Sequence, residues 1–259
     1  MLSAPQTGRA PKSAPLRSTR FIRGLWVWTL ASTTLVAALN LGPERPAARA
    51  VVLMGSGLVL VWVVTGGLLM RRHRQYVQAR MRALPGPWQV KFVLFCTLLA
   101  LLEEAVTTTM TNLAPVFGVP VGRAYITASA NYLDVVCFHS VVVFVPMFVA
   151  WAWMLARWDF HPNAVFLAFG ATGTLAEVSF GGPQQFLAYG MWTFVYGLMI
   201  YLPALCVPPD RGARPPRWWH HVLAVLVPFL FLPLFAPVLY PILRWHPEKV
   251  HFPPIPPGA

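Results

Sequence analysis

Long, continuous apolar runs separated by short polar segments dominate the chain. A hydrocarbon core about 30 Å thick needs about 20 residues of helix to cross it, and seven runs approach or exceed that length. They lack the strict alternation of apolar and polar positions that a lipid-facing barrel strand requires. The pattern therefore predicts an all-α, polytopic transmembrane helix bundle. The predicted spans are, roughly, Phe21–Leu41, Ala50–Met70, Phe92–Ala114, Leu133–Leu155, Ala164–Phe180, Phe186–Leu205 and Val222–Leu243.

Composition agrees with this pattern and excludes several protein classes. Hydrophobic residues make up 57% of the chain and charged residues 11%, whereas water-soluble domains carry about 25% charged residues. A soluble globular domain, a disordered protein and a coiled coil are therefore excluded. The net charge of +12 does not indicate a nucleic-acid partner, because the cations lie in short segments beside the apolar runs.

The positions of those cations predict how the chain crosses the membrane. Lys and Arg are enriched in cytoplasmic loops. With seven spans and a cytoplasmic N-terminus, fifteen of the twenty Lys and Arg residues fall inside and five outside. We therefore expect the N-terminus in and the C-terminus out, in an integral protein of the cell (inner) membrane. The basic stretch Arg71–Arg82 is expected to contact anionic lipid headgroups.

The segments that flank the spans differ in composition from the core of the chain. Residues 1–20 are basic, residues 246–259 are rich in Pro, and both are expected to be disordered tails around a transmembrane domain at 21–245. The first span is longer than the apolar region of a signal peptide, so we expect it to be retained. The sequence leaves open whether the chain forms a homo-oligomer.

Half of the eight carboxylates fall within predicted spans: Glu103, Glu104, Asp134 and Glu177. Arg23, at the cytoplasmic end of the first span, is the one Lys or Arg inside a predicted span. An ionised acid at the centre of a membrane helix costs about 2.5 to 3.5 kcal/mol. We therefore expect these acids to be protonated, to bind a cation or to line a polar cavity.

The predicted threading places these four acids and one histidine, His139, in the middle or outer half of the bilayer on three consecutive spans. Asp134 and His139 are five residues apart, about 140° around a regular helix, so they share a site only if their helix is irregular. We expect at least three of these five side chains to converge inside the bundle.

A polar stripe on the third span points to the same interior. Thr107, Thr108, Thr111 and Asn112 follow the Glu103–Glu104 pair at helical spacing, so all six residues lie on one face. Asn131 is a further polar residue at this depth. Threonines and asparagines alone would be explained by helix packing, but adjacent glutamates would not.

Small residues in the fifth span indicate how closely a neighbouring helix can pack. Ala168, Gly170, Ala171 and Gly173 make the fifth span thin, which allows a neighbouring helix to approach closely. The long connection Pro115–Tyr132 could cover the acidic site from outside or enter the membrane as a re-entrant segment.

Three functions fit these observations. The absence of Lys and Arg beside the intramembrane acids favours a cation- or proton-linked carrier or channel. A membrane-embedded, metal-assisted hydrolase could use Glu103 or Glu104 as base, with His139, Asp134 or Glu177 as ligands. A non-catalytic assembly factor could use the acids to hold helices together. A divalent cation or a proton is therefore the expected ligand, and signatures of zinc proteases, serine hydrolases and phosphate-binding loops are absent.

Overall fold

The computed structural model describes residues 17–244, except Leu41 and Pro43, together with Phe252. These residues form helices and no strand. The helices are α1 (Arg17–Leu39), α2 (Pro46–Leu58), α3 (Gly67–Ala83), α4 (Trp88–Asn112), α5 (Tyr132–Asp134), α6 (Val141–Arg157), α7 (Pro162–Gly181), α8 (Tyr189–Cys206) and α9 (Trp218–Arg244). Residues 1–16 of the predicted N-terminal tail and all of the predicted C-terminal tail except Phe252 lie outside the described residues.

Two π-helical segments connect parts of this series. Val59–Gly66 joins α2 to α3, so that Pro46–Ala83 runs as one long helix. Val135–His139 follows α5 and leads to α6 through Ser140, where the helix bends by 47°. The short 3₁₀ segment Pro183–Ala188 precedes α8.

The helices have the length and composition of membrane spans. Five are long and apolar enough to cross a bilayer, and the bent pair Tyr132–His139 and Val141–Arg157 makes six among the described residues. The 25-residue helix α4, which carries Glu103 and Glu104, is not among them. The described residues thus form an all-helical membrane protein with five or six candidate spans by this measure, and the seven predicted spans are not confirmed.

Local sequence explains where several helices begin and end. Pro46 and Pro162 occupy the first turns of α2 and α7, where a missing N–H is harmless. The His161 ring accepts a hydrogen bond from the Asn163 N–H and caps α7. Gly182, with φ of 87°, ends α7 in a conformation that favours glycine.

Helices α7 and α8 pack at the centre of the core through glycines. A Cβ atom at Gly170 would lie 2.7 Å from the Thr193 carbonyl oxygen, and one at Gly173 would lie 2.1 Å from the Tyr196 ring. On the α8 side, a Cβ at Gly197 would lie 2.6 Å from the Phe166 ring. The close approach predicted from the small residues of the fifth span is therefore present.

Contacts at one end of the bundle join the start of α1, the end of α3, both ends of the α6–α7 connection and the end of α8. Asn163 donates to the Thr19 hydroxyl at 3.0 Å. Arg211 pairs with Asp159 at 2.6 Å, and Arg82 donates to the Val207 carbonyl. These contacts place the segments on the same side.

Contacts at the other end join the start of α2 to the segment that follows α4. Ala47 and Met54 pack against Ala114 and Val119. The Tyr125 ring stacks on Phe252 at 4.6 Å between centroids. The 113–131 connection therefore lies across this end of the bundle, opposite the Arg82 side.

Candidate carboxylate site

Both glutamates of α4 point into the bundle. Glu103 is 3% exposed and Glu104 7% exposed. The threonines of the predicted stripe, Thr107, Thr108 and Thr111, are also buried, whereas Thr109 on the other face is exposed. The helical spacing thus separates the buried polar face of α4 from its exposed face, except at Asn112, which was predicted on the buried face and is exposed at the end of the helix.

The Glu104 carboxyl group is held by hydroxyl groups. Thr107, one turn further along α4, donates to Oε2 of Glu104 at 3.0 Å. Ser140, at the bend before α6, is a second side-chain hydrogen-bond partner of this carboxyl. One buried acid is therefore held both from its own helix and from the bend before α6.

Glu177 reaches the same region from α7. Tyr196 on α8 donates to its Oε1 at 2.5 Å. Glu177 is close enough to interact electrostatically with both Glu103 and Glu104. We call Glu103, Glu104 and Glu177 the carboxylate cluster.

Sequence reasoning missed Tyr196. Its ring packs against Gly173 and its hydroxyl meets Glu177. Gly173 and Glu177 are four residues apart and share one face of α7. That pairing indicates a large partner on a neighbouring helix, but nothing in the sequence of α8 distinguishes Tyr196 from Tyr189 and Tyr201 on the same helix.

Asp134 and His139 come together because their helix is irregular. The Ser140 N–H donates to the Val135 carbonyl at 2.9 Å, five residues back, as in a π-helix. The wider turn brings residues five apart to one face. His139 Nε2 lies 3.7 Å from Asp134 Oδ2, and we call these residues the Asp–His pair.

The two asparagines named from the sequence make backbone contacts instead. Asn131 accepts a hydrogen bond from the Leu133 N–H and caps α5. Asn112 donates to the carbonyls of Thr108 and Ala130. Both residues are exposed, so they stabilise the ends of helices beside the site.

The predicted site residues therefore form two groups, the carboxylate cluster and the Asp–His pair. Ser140 connects them, since it follows His139 directly and interacts with Glu104. Throughout the described residues, no three His, Cys, Asp or Glu side chains are arranged to hold a metal ion.

The carboxylates of the cluster and a nearby hydroxyl group are available to bind a ligand. Within 17–244 no Lys or Arg lies at salt-bridge distance from the three carboxylates, and the Arg ion pair found is Arg211 with Asp159. The Thr108 hydroxyl is buried on the same helix face and has no hydrogen-bond partner among the described residues.

Comparison with known proteins adds no identification. No family model matches the chain, and no curated protein or solved structure matches it either.

Proposed function

We propose that this chain is a seven-span membrane protein whose carboxylate cluster binds a cation, the proton included, and couples that binding to translocation. The observation that carries the proposal is that Glu103 and Glu104 are buried beside the half-buried Glu177 of a second helix, and that none of the three has a Lys or Arg partner among the described residues. Buried acids without a positive partner are costly. Either a bound cation or protonation would remove that cost.

Helix α4 would be the seventh span. It packs against α2, α6 and α8, and its ends approach opposite sides of the bundle. With α4 included, the helices alternate between the two sides. The Lys and Arg excess then favours a cytoplasmic N-terminus and an external C-terminus.

The distribution of the cluster over several helices favours translocation over a hydrolase or an assembly factor. Its acids lie on α4 and α7, and their hydroxyl partners lie on α4, α8 and the bend before α6. A ligand that binds at such a junction can change how several helices pack. A site that only held helices together would not need three acids of like charge.

The decisive experiment replaces each α4 glutamate by Gln, which has nearly the shape of a protonated Glu. We expect Glu103→Gln and Glu104→Gln to insert and fold normally, because the amide keeps the packing. We expect both to lose activity, because the amide neither releases a proton nor carries a charge. The measurements are growth complementation of a deletion strain and thermal stability in detergent.

Glu44→Gln is the matched control, because Glu44 is an exposed acid outside the predicted spans. It should complement fully. Correctly inserted Glu103→Gln and Glu104→Gln proteins that also complement fully would refute the proposal and leave a purely structural role for these acids.

A further inference from the structure

We infer that the cation of this site is the proton, and that Ser140, Thr107 and Tyr196 exchange it with the acids that they contact. This inference rests on the proposed function and names its ligand. It arises from the kind of contact that each acid makes. Among the described residues, the side-chain hydrogen-bond partners of the cluster are hydroxyl groups.

The hydroxyl groups act as donors to the acids. Thr107 donates to Glu104 at 3.0 Å, and Tyr196 donates to Glu177 at 2.5 Å. A hydroxyl group that binds a metal ion turns its oxygen lone pairs toward the ion. Thr107 also contacts the Glu104 backbone carbonyl at 3.1 Å, and Ser140 donates to the Val135 carbonyl at 3.2 Å. A hydroxyl group that donates its one hydrogen to a carbonyl can accept a hydrogen from a protonated acid, as proton exchange requires.

A hydroxyl group passes a proton without changing its own charge. It accepts a proton on an oxygen lone pair and releases its original hydrogen to the carboxylate that it faces. The carboxylate becomes a neutral acid and the hydroxyl group is restored. The same step in reverse releases the proton, so no other reactant is needed.

The Asp–His pair gives the proton a way in. It lies directly after the 113–131 connection, which covers one end of the bundle, and the His139 side chain is 14% exposed. An imidazole can take a proton at one nitrogen and release it from the other. Ser140 follows His139 in the chain and is a hydrogen-bond partner of Glu104, so the π-helical turn ends beside the cluster.

Several titratable groups face this route from the packed helices. α4 contributes Glu103 and Glu104, α7 contributes Glu177, α8 contributes Tyr196, and the segment before α6 contributes Tyr132, Asp134, Cys137 and His139. The Tyr132 hydroxyl donates to the Leu101 carbonyl at 3.0 Å. Within the described part of the chain, none of the cluster's neighbours is a permanent cation.

The test measures protonated carboxyl groups directly. Infrared difference spectra between acidic and alkaline pH would be recorded on the full chain in lipid nanodiscs, with choline as the buffer cation. We expect a carbonyl stretching band of a protonated acid that is lost in Glu104→Gln or in Glu177→Gln. Tyr196→Phe should shift the Glu177 band, because the hydrogen bond to that acid is gone.

The controls separate this inference from the proposed function. Glu44→Gln should leave the bands unchanged. If sodium, potassium, magnesium or calcium abolishes the bands at constant pH, the cluster binds a metal cation: the proton inference is wrong and the proposed function stands. If the bands survive in every Gln variant and no cation affects the spectra, both the proton inference and the proposed function are wrong. An unshifted band in Tyr196→Phe would remove Tyr196 from the route.

Discussion

Tyr196 shows how one residue depends on the shape of its neighbours. Its hydroxyl group reaches Glu177 only because Gly173 leaves room for its ring on the facing helix. Interiors are packed so closely that an added methyl group is felt. The contact between Glu177 and its donor is therefore encoded partly by Gly173, which touches neither polar group.

Gly173→Ala should destabilise the protein and separate Tyr196 from Glu177. The added Cβ would fall 2.1 Å from the ring, and overpacking of this kind costs roughly 1 to 3 kcal/mol. We expect a lower melting temperature in detergent and a shifted Glu177 infrared band.

Gly55→Ala is the control for this substitution, because no atom lies within 4 Å of a Cβ placed there. Alanine favours helix over glycine by up to about 1 kcal/mol, so this variant should be at least as stable as the wild type. Equal stability of the two variants would contradict the packing argument.

At the scale of the element, the π-helical turn Val135–His139 decides which side chains meet. In a regular helix Asp134 and His139 would point about 140° apart. The turn brings them to 3.7 Å and places the 47° bend at Ser140. π-helical turns are often found at functional sites, and this one joins the Asp–His pair to the carboxylate cluster.

Helix α3 extends the second predicted span with a basic surface, and Arg71, Arg72 and Arg74 on it are exposed. Its far end is fixed to α8 through Gln78, which donates to the Leu205 carbonyl. We propose that this surface binds anionic headgroups, each cation contributing about 1 kcal/mol near such a membrane.

Replacing Arg71, Arg72 and Arg74 together by Gln should reduce the stabilisation that anionic lipid gives. The measurement compares melting temperatures in nanodiscs of phosphatidylglycerol and of phosphatidylcholine. The corresponding triple Lys variant keeps the charge and should retain the difference. An undiminished difference in the Gln variant would show that the headgroups bind elsewhere.

At the scale of the molecule, the connections between helices fall on two opposite sides. Asn163 links the start of α7 to Thr19 in α1, while Ala114 packs with Ala47 at the other end. This alternation agrees with an odd number of crossings from α1 to α9, which the proposed seven-span topology requires.

A reporter that fluoresces only in the cytoplasm tests this topology. Fused after Ala259 it should stay dark, because an odd number of spans places the C-terminus outside. Fused before Met1 it should fluoresce. A bright C-terminal fusion would mean that the chain crosses an even number of times or is inverted.

The sequence by itself determined the class of protein and the faces of its helices. Continuous apolar runs of about 20 residues have the length that a helix needs to cross the hydrocarbon core, so they indicate membrane helices. The spacing of Glu103, Thr107 and Thr111 marks a buried face, because helical periodicity is local. The small residues of α7 likewise predicted a close neighbour.

Tertiary structure alone decided which of these groups meet. The choice of Tyr196 as the partner of Glu177 depends on how α8 packs against α7, and no local pattern encodes that choice. The contact of Asp134 with His139 depends on a π-helical turn, in which one backbone hydrogen bond shifts by a residue. Asn112 and Asn131 share the polar composition of the site, yet their side chains bind backbone groups, because they lie where helices end and carbonyl and N–H groups need partners.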